Sequence, residues 1–127
     1  ICVAGNIADP AIVASLEFAT EVLGAGVVFV LGHTACGAVT AASDGRAVPG
    51  QVSALFQPLR EAVRLGGGDV RKAIEANVRV QVDALTAASP VLHARVASGR
   101  LLVTGGVYDL SSGRVTPVEG SPEAAHG

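Results

Sequence analysis

Two uninterrupted apolar runs stand out between stretches of helical period. The first, Gly26-Val27-Val28-Phe29-Val30-Leu31-Gly32, is β-branched and aromatic, with glycine at both ends. Such a run predicts a strand buried on both faces, as in a parallel sheet covered by helices. The second, Leu101 to Asp109, predicts another buried strand. A Ser111-Ser112-Gly113 turn follows, and Arg114 to Val118 predicts a short returning edge strand. Residues 1–4 read as the end of a strand closed by the turn pair Gly5-Asn6.

Helical period fills the intervals. Asp9-Pro10 is a start signal: the carboxylate caps free N–H groups, and proline loses nothing at the first helical position. Ile12, Leu16, Ala19 and Leu23 then form one apolar face, with Glu17 and Glu21 off it and Gly24 as the natural C-cap. An Ala-rich helix is predicted over roughly 37–43, ended by Ser43-Asp44-Gly45. Gln51 to Leu65 reads as a helix with Val52, Leu55, Phe56, Leu59 and Val63 on one side and a kink or restart at Pro58. Gly66-Gly67-Gly68 breaks the chain, and Asp69 caps a helix running toward Ala88. Its stripe is Ile74, Val78, Val82 and Leu85, with Arg71 and Glu75 as a surface i,i+4 pair. Ser89-Pro90 restarts a shorter helix that ends at Ser98-Gly99. Strands alternating with helices predict an α/β domain with a mainly parallel sheet flanked by helices, over residues 1–118, and a polar, flexible tail over 119–127.

Composition narrows the function. The chain has 127 residues, one domain's worth. Half are hydrophobic and mean hydropathy is +0.50, which excludes a disordered chain. A net charge of −2 without a Lys/Arg cluster argues against nucleic acid as a partner. The two cysteines, Cys2 and Cys36, are too few for a secreted disulfide scaffold, and the apolar runs are far short of a membrane span. A cytoplasmic location is expected, with no membrane partner. The chain opens on Ile1 inside a strand-like segment and contains no Met, so it is expected to be a piece of something longer.

Candidate chemistry lies where the first apolar run turns into a helix. His33 and Cys36 stand three apart there, a spacing that puts side chains on one side of a helical turn. Carboxyl ends of parallel strands are where α/β sheets bind ligands. Imidazole and thiolate make half of a zinc site, since zinc takes N and S ligands in a tetrahedron. The pair alone equally fits a buried Cys acting as a small hydrophobe beside a His bonded to backbone. His93 reads as a surface or capping residue, and Arg60, Arg64 and Arg71 as a solvated helix face. Gly66-Gly67-Gly68 lacks the Lys-Ser/Thr of a phosphate loop and reads as a connector.

The surroundings of the pair add more. Val30-Leu31-Gly32-His33-Thr34-Ala35-Cys36-Gly37-Ala38-Val39 resembles the zinc-binding segment of the β-class carbonic anhydrases. Ala4-Gly5-Asn6-Ile7 looks like that family's A-G-N loop, Ser15-Leu16-Glu17-Phe18-Ala19 like its S-L-E-[YF]-A helix, and Gly106 to Gly113 like its last central strand and turn. The four stretches come in family order and span roughly 1–118.

The resemblance implies a zinc enzyme that hydrates CO2 reversibly to bicarbonate through a zinc-bound hydroxide, whose formation zinc favours by lowering the pKa of water toward about 7. By position, His33 and Cys36 would be two zinc ligands. The Gly37 backbone N–H, at a helix start, would face the substrate oxygens. Gly5, Asn6 and Phe18 would line the substrate channel, with Phe18 standing where many members have Tyr. A homodimer or higher homo-oligomer is implied. The resemblance also marks what this stretch lacks. The family's first zinc Cys lies in a C-x-D-S-R motif whose Asp and Arg govern the fourth zinc position, and no part of that motif occurs here. The family sheet runs 2-1-3-4, so the strand without a counterpart is a central one. Cys2 stands where the family usually has Arg, and reads as a small terminal Cys rather than a replacement ligand. Asp109 falls on a structural position. Two other readings share the fold: a CS2 or COS hydrolase, and a non-catalytic binding or assembly domain.

Overall fold

A computed structural model describes residues 1–118; the tail expected over 119–127 lies outside the described residues. Helix α1 (Pro10–Glu21) starts where Asp9 accepts from the Ile12 N–H. It ends at Glu21 with Val22 as the C-cap; Gly24, expected in that place, takes φ 75 further on, and the Ala25 N–H reaches back to the Ala19 carbonyl at 3.0 Å. Strand β1 (Val27–His33) follows, then helix α2 (Gly37–Asp44), closed by left-handed Gly45. The segment expected as one kinked helix is a 3-10 stretch (Gly50–Leu55) followed by α3 (Phe56–Gly66). The break precedes Pro58, which sits in the first turn of α3, where a missing N–H loses no bond. Val52, expected on the apolar side, is exposed as a result. Helix α4 (Val70–Ala88) is capped by Asp69, and α5 (Pro90–Ala97) by Ser89. Strands β2 (Leu102–Tyr108) and β3 (Val115–Pro117) complete the described chain.

The sheet runs β1-β2-β3, parallel between β1 and β2 and antiparallel between β2 and β3. The α/β expectation with a mainly parallel sheet stands. One face of the sheet receives α4. Ile74, Val78, Val82 and Leu85 are all buried, as their spacing predicts, and join Val28 and Val103 in the core. Close approach is possible because Gly32 and Gly105 face this helix. A Cβ on Gly32 would lie 2.8 Å from Val78 Cγ2, and one on Gly105 would collide with Val78 Cγ1.

Three further expectations are corrected. β1 is not buried on both faces: Val27, Phe29 and Leu31 are 57, 45 and 47% exposed, while Val28 on the other face is buried. No described element covers their side. Residues 1–4 do not end a strand. Ala4–Asn6 form a 3-10 turn, and Val3, though extended at φ −140 and ψ 155, precedes it without joining the sheet. A strand needs a ladder, and β1 pairs with β2 alone among the described residues. Ile1 and Val3 instead line a groove of about 280 Å3 with Val27–Leu31 and the α1 side chains Ile12, Leu16 and Ala19. The open edge of β1 is where the order 2-1-3-4 implied by the resemblance would seat a further strand. The Arg71/Glu75 surface pair does not form; Arg64 pairs with Glu61 at 2.6 Å instead. No helix among the described residues is long and apolar enough to cross a membrane.

Candidate metal centre

The His33–Cys36 segment is a tight turn between β1 and α2, held from the neighbouring strand. The Thr34 N–H donates to the Tyr108 carbonyl at 2.9 Å, and the Leu110 N–H donates to Thr34 Oγ1 at 3.0 Å. Ala35 turns the chain at φ 55, a left-handed conformation that costs a non-glycine residue roughly 1–2 kcal/mol. This strain sits between the two candidate ligands, and the ties from the end of β2 maintain it.

His33 is exposed. Its Nδ1 lies 2.9 Å from the Thr34 carbonyl oxygen, which can only accept, so Nδ1 carries the proton. In the neutral imidazole this leaves the lone pair on Nε2, a tautomer that can bind a metal through that nitrogen. Cys36 is a free, buried thiol packed with Val39, Leu59, Ala73 and Ile74. It occupies the N-cap position of α2 without a capping side-chain bond. The Gly37 N–H heads that helix, and Gly37 is exposed. The turn holding Gly5 and Asn6 packs nearby: Ile7 joins the cluster that buries Cys36, and Gly5 (φ 74) is buried. Phe18, 56% exposed on α1, belongs to neither core cluster.

The remaining candidates resolve into local roles. Cys2 is exposed and free. Asp109 accepts from the Ser111 hydroxyl at 2.6 Å and the Ser111 N–H at 2.8 Å, and these bonds hold its carboxyl below its ordinary pKa. It closes the β2–β3 turn, a structural position. His93 is an exposed residue of α5.

Imidazole and thiolate at one turn are the right donor types for zinc, but a catalytic zinc site takes three protein ligands. Among the described residues no group of three or more His, Cys, Asp or Glu is placed to hold a metal. The described chain thus carries two donors of the right chemistry and does not by itself complete a site.

Two residues escaped sequence reading. Asn77 and Gln81 on α4 are buried, 1 and 4% exposed. They fall three and seven residues after Ile74, on the buried face, and that spacing was the signal that could have exposed them.

Comparison with known proteins places the chain. A family model described as carbonic anhydrase matches residues 1–115. Carbonic anhydrase 2 of Mycobacterium tuberculosis is 35% identical over 119 residues, covering 87% of this chain and 58% of that protein. The chain thus spans little more than half the length of this relative. Among solved structures, the β-carbonic anhydrase CafA of Aspergillus fumigatus superposes with a TM-score of 0.76 at 29% identity, over 98% of this chain and 62% of that one. One of two tetrameric β-carbonic anhydrases of Sordaria macrospora superposes at 0.75 and 21% identity, over 91% of this chain and 65% of that one. With the ordered motifs, the His33–Cys36 turn and these matches together, the chain belongs to the β-carbonic anhydrase family.

Proposed function

We propose that these residues form the core of a zinc-dependent carbonic anhydrase that interconverts CO2 and bicarbonate in the intact protein. The observation that carries this reading is the His33–Cys36 turn, with an imidazole whose Nδ1 is bonded to backbone and whose Nε2 is free to ligate. In this reading His33 and Cys36 are two metal ligands, and a third comes from polypeptide beyond the described residues. Zinc, when bound, makes water acidic enough to serve as a nucleophile near neutral pH. The chain's own contribution is orientation. The Thr34 and Leu110 hydrogen bonds hold the turn, the core around Ile74 holds Cys36, and the Gly37 N–H at the start of α2 offers a donor to oxygen that gains negative charge. Gly5, Asn6 and Phe18 line the channel, with Phe18 supplying an apolar wall without a phenol hydroxyl. A homo-oligomer in the cytoplasm completes the proposal. The uncovered apolar side of β1 supports the assembly, as does the tetrameric state of the Sordaria macrospora relatives.

The test uses the intact protein. His33→Ala and Cys36→Ser should each remove most bound zinc, measured by plasma emission, and should abolish CO2 hydration in stopped flow. Wild-type zinc content in both variants would overturn the ligand assignment. Hydrolysis of COS without hydration of CO2 would overturn the substrate.

A further inference from the structure

The Gly5–Asn6 turn is held by side chains of α4 more than seventy residues away, through a directed chain of amides. At one end the Ala8 N–H, which can only donate, reaches Gln81 Oε1 at 2.8 Å. That contact sets the Gln81 amide, so Gln81 Nε2 must point the other way, and it donates to Asn77 Oδ1 at 3.0 Å. Asn77 is then set in turn. Its Nδ2 donates to the Gly5 carbonyl at 2.8 Å, which can only accept, and to Asn6 Oδ1 at 3.1 Å. Both ends of the relay are backbone groups of fixed polarity, and no amide in it can flip without setting like against like. The last member, Asn6, is left with its Oδ1 engaged and its Nδ2 buried without a partner.

We propose that Asn77 and Gln81 are positioning residues of the candidate site. They hold the strained Gly5–Asn6 turn (φ 74 and 40) and turn the Asn6 amide so that its donor end stays available to oxygen. The physical case is one of alternatives. Two amides buried on the apolar face of α4 are a liability unless each polar atom is paired. Apolar residues would fill the same volume, yet they could neither hold a turn with two positive φ values nor orient Asn6. The turn borders the cluster around Cys36 through Ile7, so the two share one packed neighbourhood. The claim that this placement matters for turnover rests on the proposed carbonic anhydrase reading; the relay itself does not.

The experiment combines amide hydrogen exchange with steady-state kinetics on the intact protein. Gln81→Met removes the acceptor for Ala8 and should speed exchange of that N–H at least tenfold. Gln81→Glu keeps an acceptor oxygen for Ala8 and should restore protection of that N–H, while its second oxygen, set against Asn77 Oδ1, breaks the relay at the Asn77 end. Asn77→Asp sets oxygen against the Gly5 carbonyl and Asn6 Oδ1; it should raise KM for CO2 several-fold, with a smaller effect on kcat. Wild-type protection of Ala8 in Gln81→Met would overturn the relay, as would loss of protection in Gln81→Glu. Wild-type KM in folded Asn77→Asp would reduce both residues to a structural role and overturn the proposal. If Gln81→Met does not fold, the two near-isosteric variants decide the matter. If the wild-type protein does not hydrate CO2, the functional reading fails, while the exchange arms still decide whether the relay sets the turn.

Discussion

Ser89 carries two jobs with one hydroxyl. It is fully buried and accepts from the Leu92 N–H at 3.1 Å as the cap of α5, and it donates to Glu17 Oε1 at 2.6 Å. Glu17 thereby ties α1 to α5, although it lies off the α1 apolar stripe. Removing the hydroxyl leaves both the helix end and a half-buried carboxylate short of a partner. A lost cap costs about 1 kcal/mol, and an unpaired buried polar group a further 1–3. Ser89→Ala should therefore lower stability by roughly 2–3 kcal/mol, seen as a reduced urea midpoint with an unchanged m-value. A change within 0.5 kcal/mol would show that water replaces the hydroxyl. The same logic separates Asp109 from the site: its partners are its own turn residues, and they account for its lowered pKa.

At the scale of elements, the tightest joint is that between α4 and the sheet. Gly105 lets Val78 sit directly over β2, and a Cβ there would also approach the Val30 carbonyl to 2.7 Å. Backbone of a paired strand cannot yield as a side-chain tip can. Gly105→Ala should destabilise by about 1–3 kcal/mol, the range for overpacking a close-packed core, read by thermal or urea unfolding. The combined Gly105→Ala/Val78→Ala variant should recover part of that loss. The joint also shows what sequence makes legible. The α4 stripe and the Asp69 and Ser89 caps follow from local period and punctuation, and the structure places them as expected, whereas α1 is capped at Val22, ahead of the expected Gly24. The His33–Cys36 pair was legible because it is contiguous. Local pattern could not reveal that Val27, Phe29 and Leu31 lie bare, because a continuous apolar run records what a strand is built to be covered by. It does not record whether this chain supplies the cover. Nor did it reveal the relay, because Asn77 and Gln81 lie outside the apolar stripe read for α4, and their partners Ala8, Gly5 and Asn6 lie more than seventy residues away.

The described residues present an open strand edge beside an apolar groove, and a turn carrying two candidate metal ligands. Both features bear on what the 127 residues can do alone. The edge of β1 offers unpaired backbone groups next to exposed Val27, Phe29 and Leu31, which is a template for association with another strand. Phe18 on α1, with Val22 and Leu23 just after its end, adds further exposed apolar surface. A small domain has about 5–15 kcal/mol of net stability, and it gains nothing from surface left in water. The isolated chain should therefore self-associate, seen by light scattering at micromolar concentration as species larger than a monomer. Added zinc should not rescue turnover. One imidazole and one thiolate cannot fix a tetrahedral site, and no third donor stands beside them among the described residues. Stopped-flow measurement on the purified 127-residue chain with zinc should give a CO2 hydration rate no faster than buffer with zinc alone. A rate near that of an ordinary zinc enzyme would overturn this, and would direct attention to Cys2, whose exposed thiol near the groove could then be tested as the third ligand by Cys2→Ser.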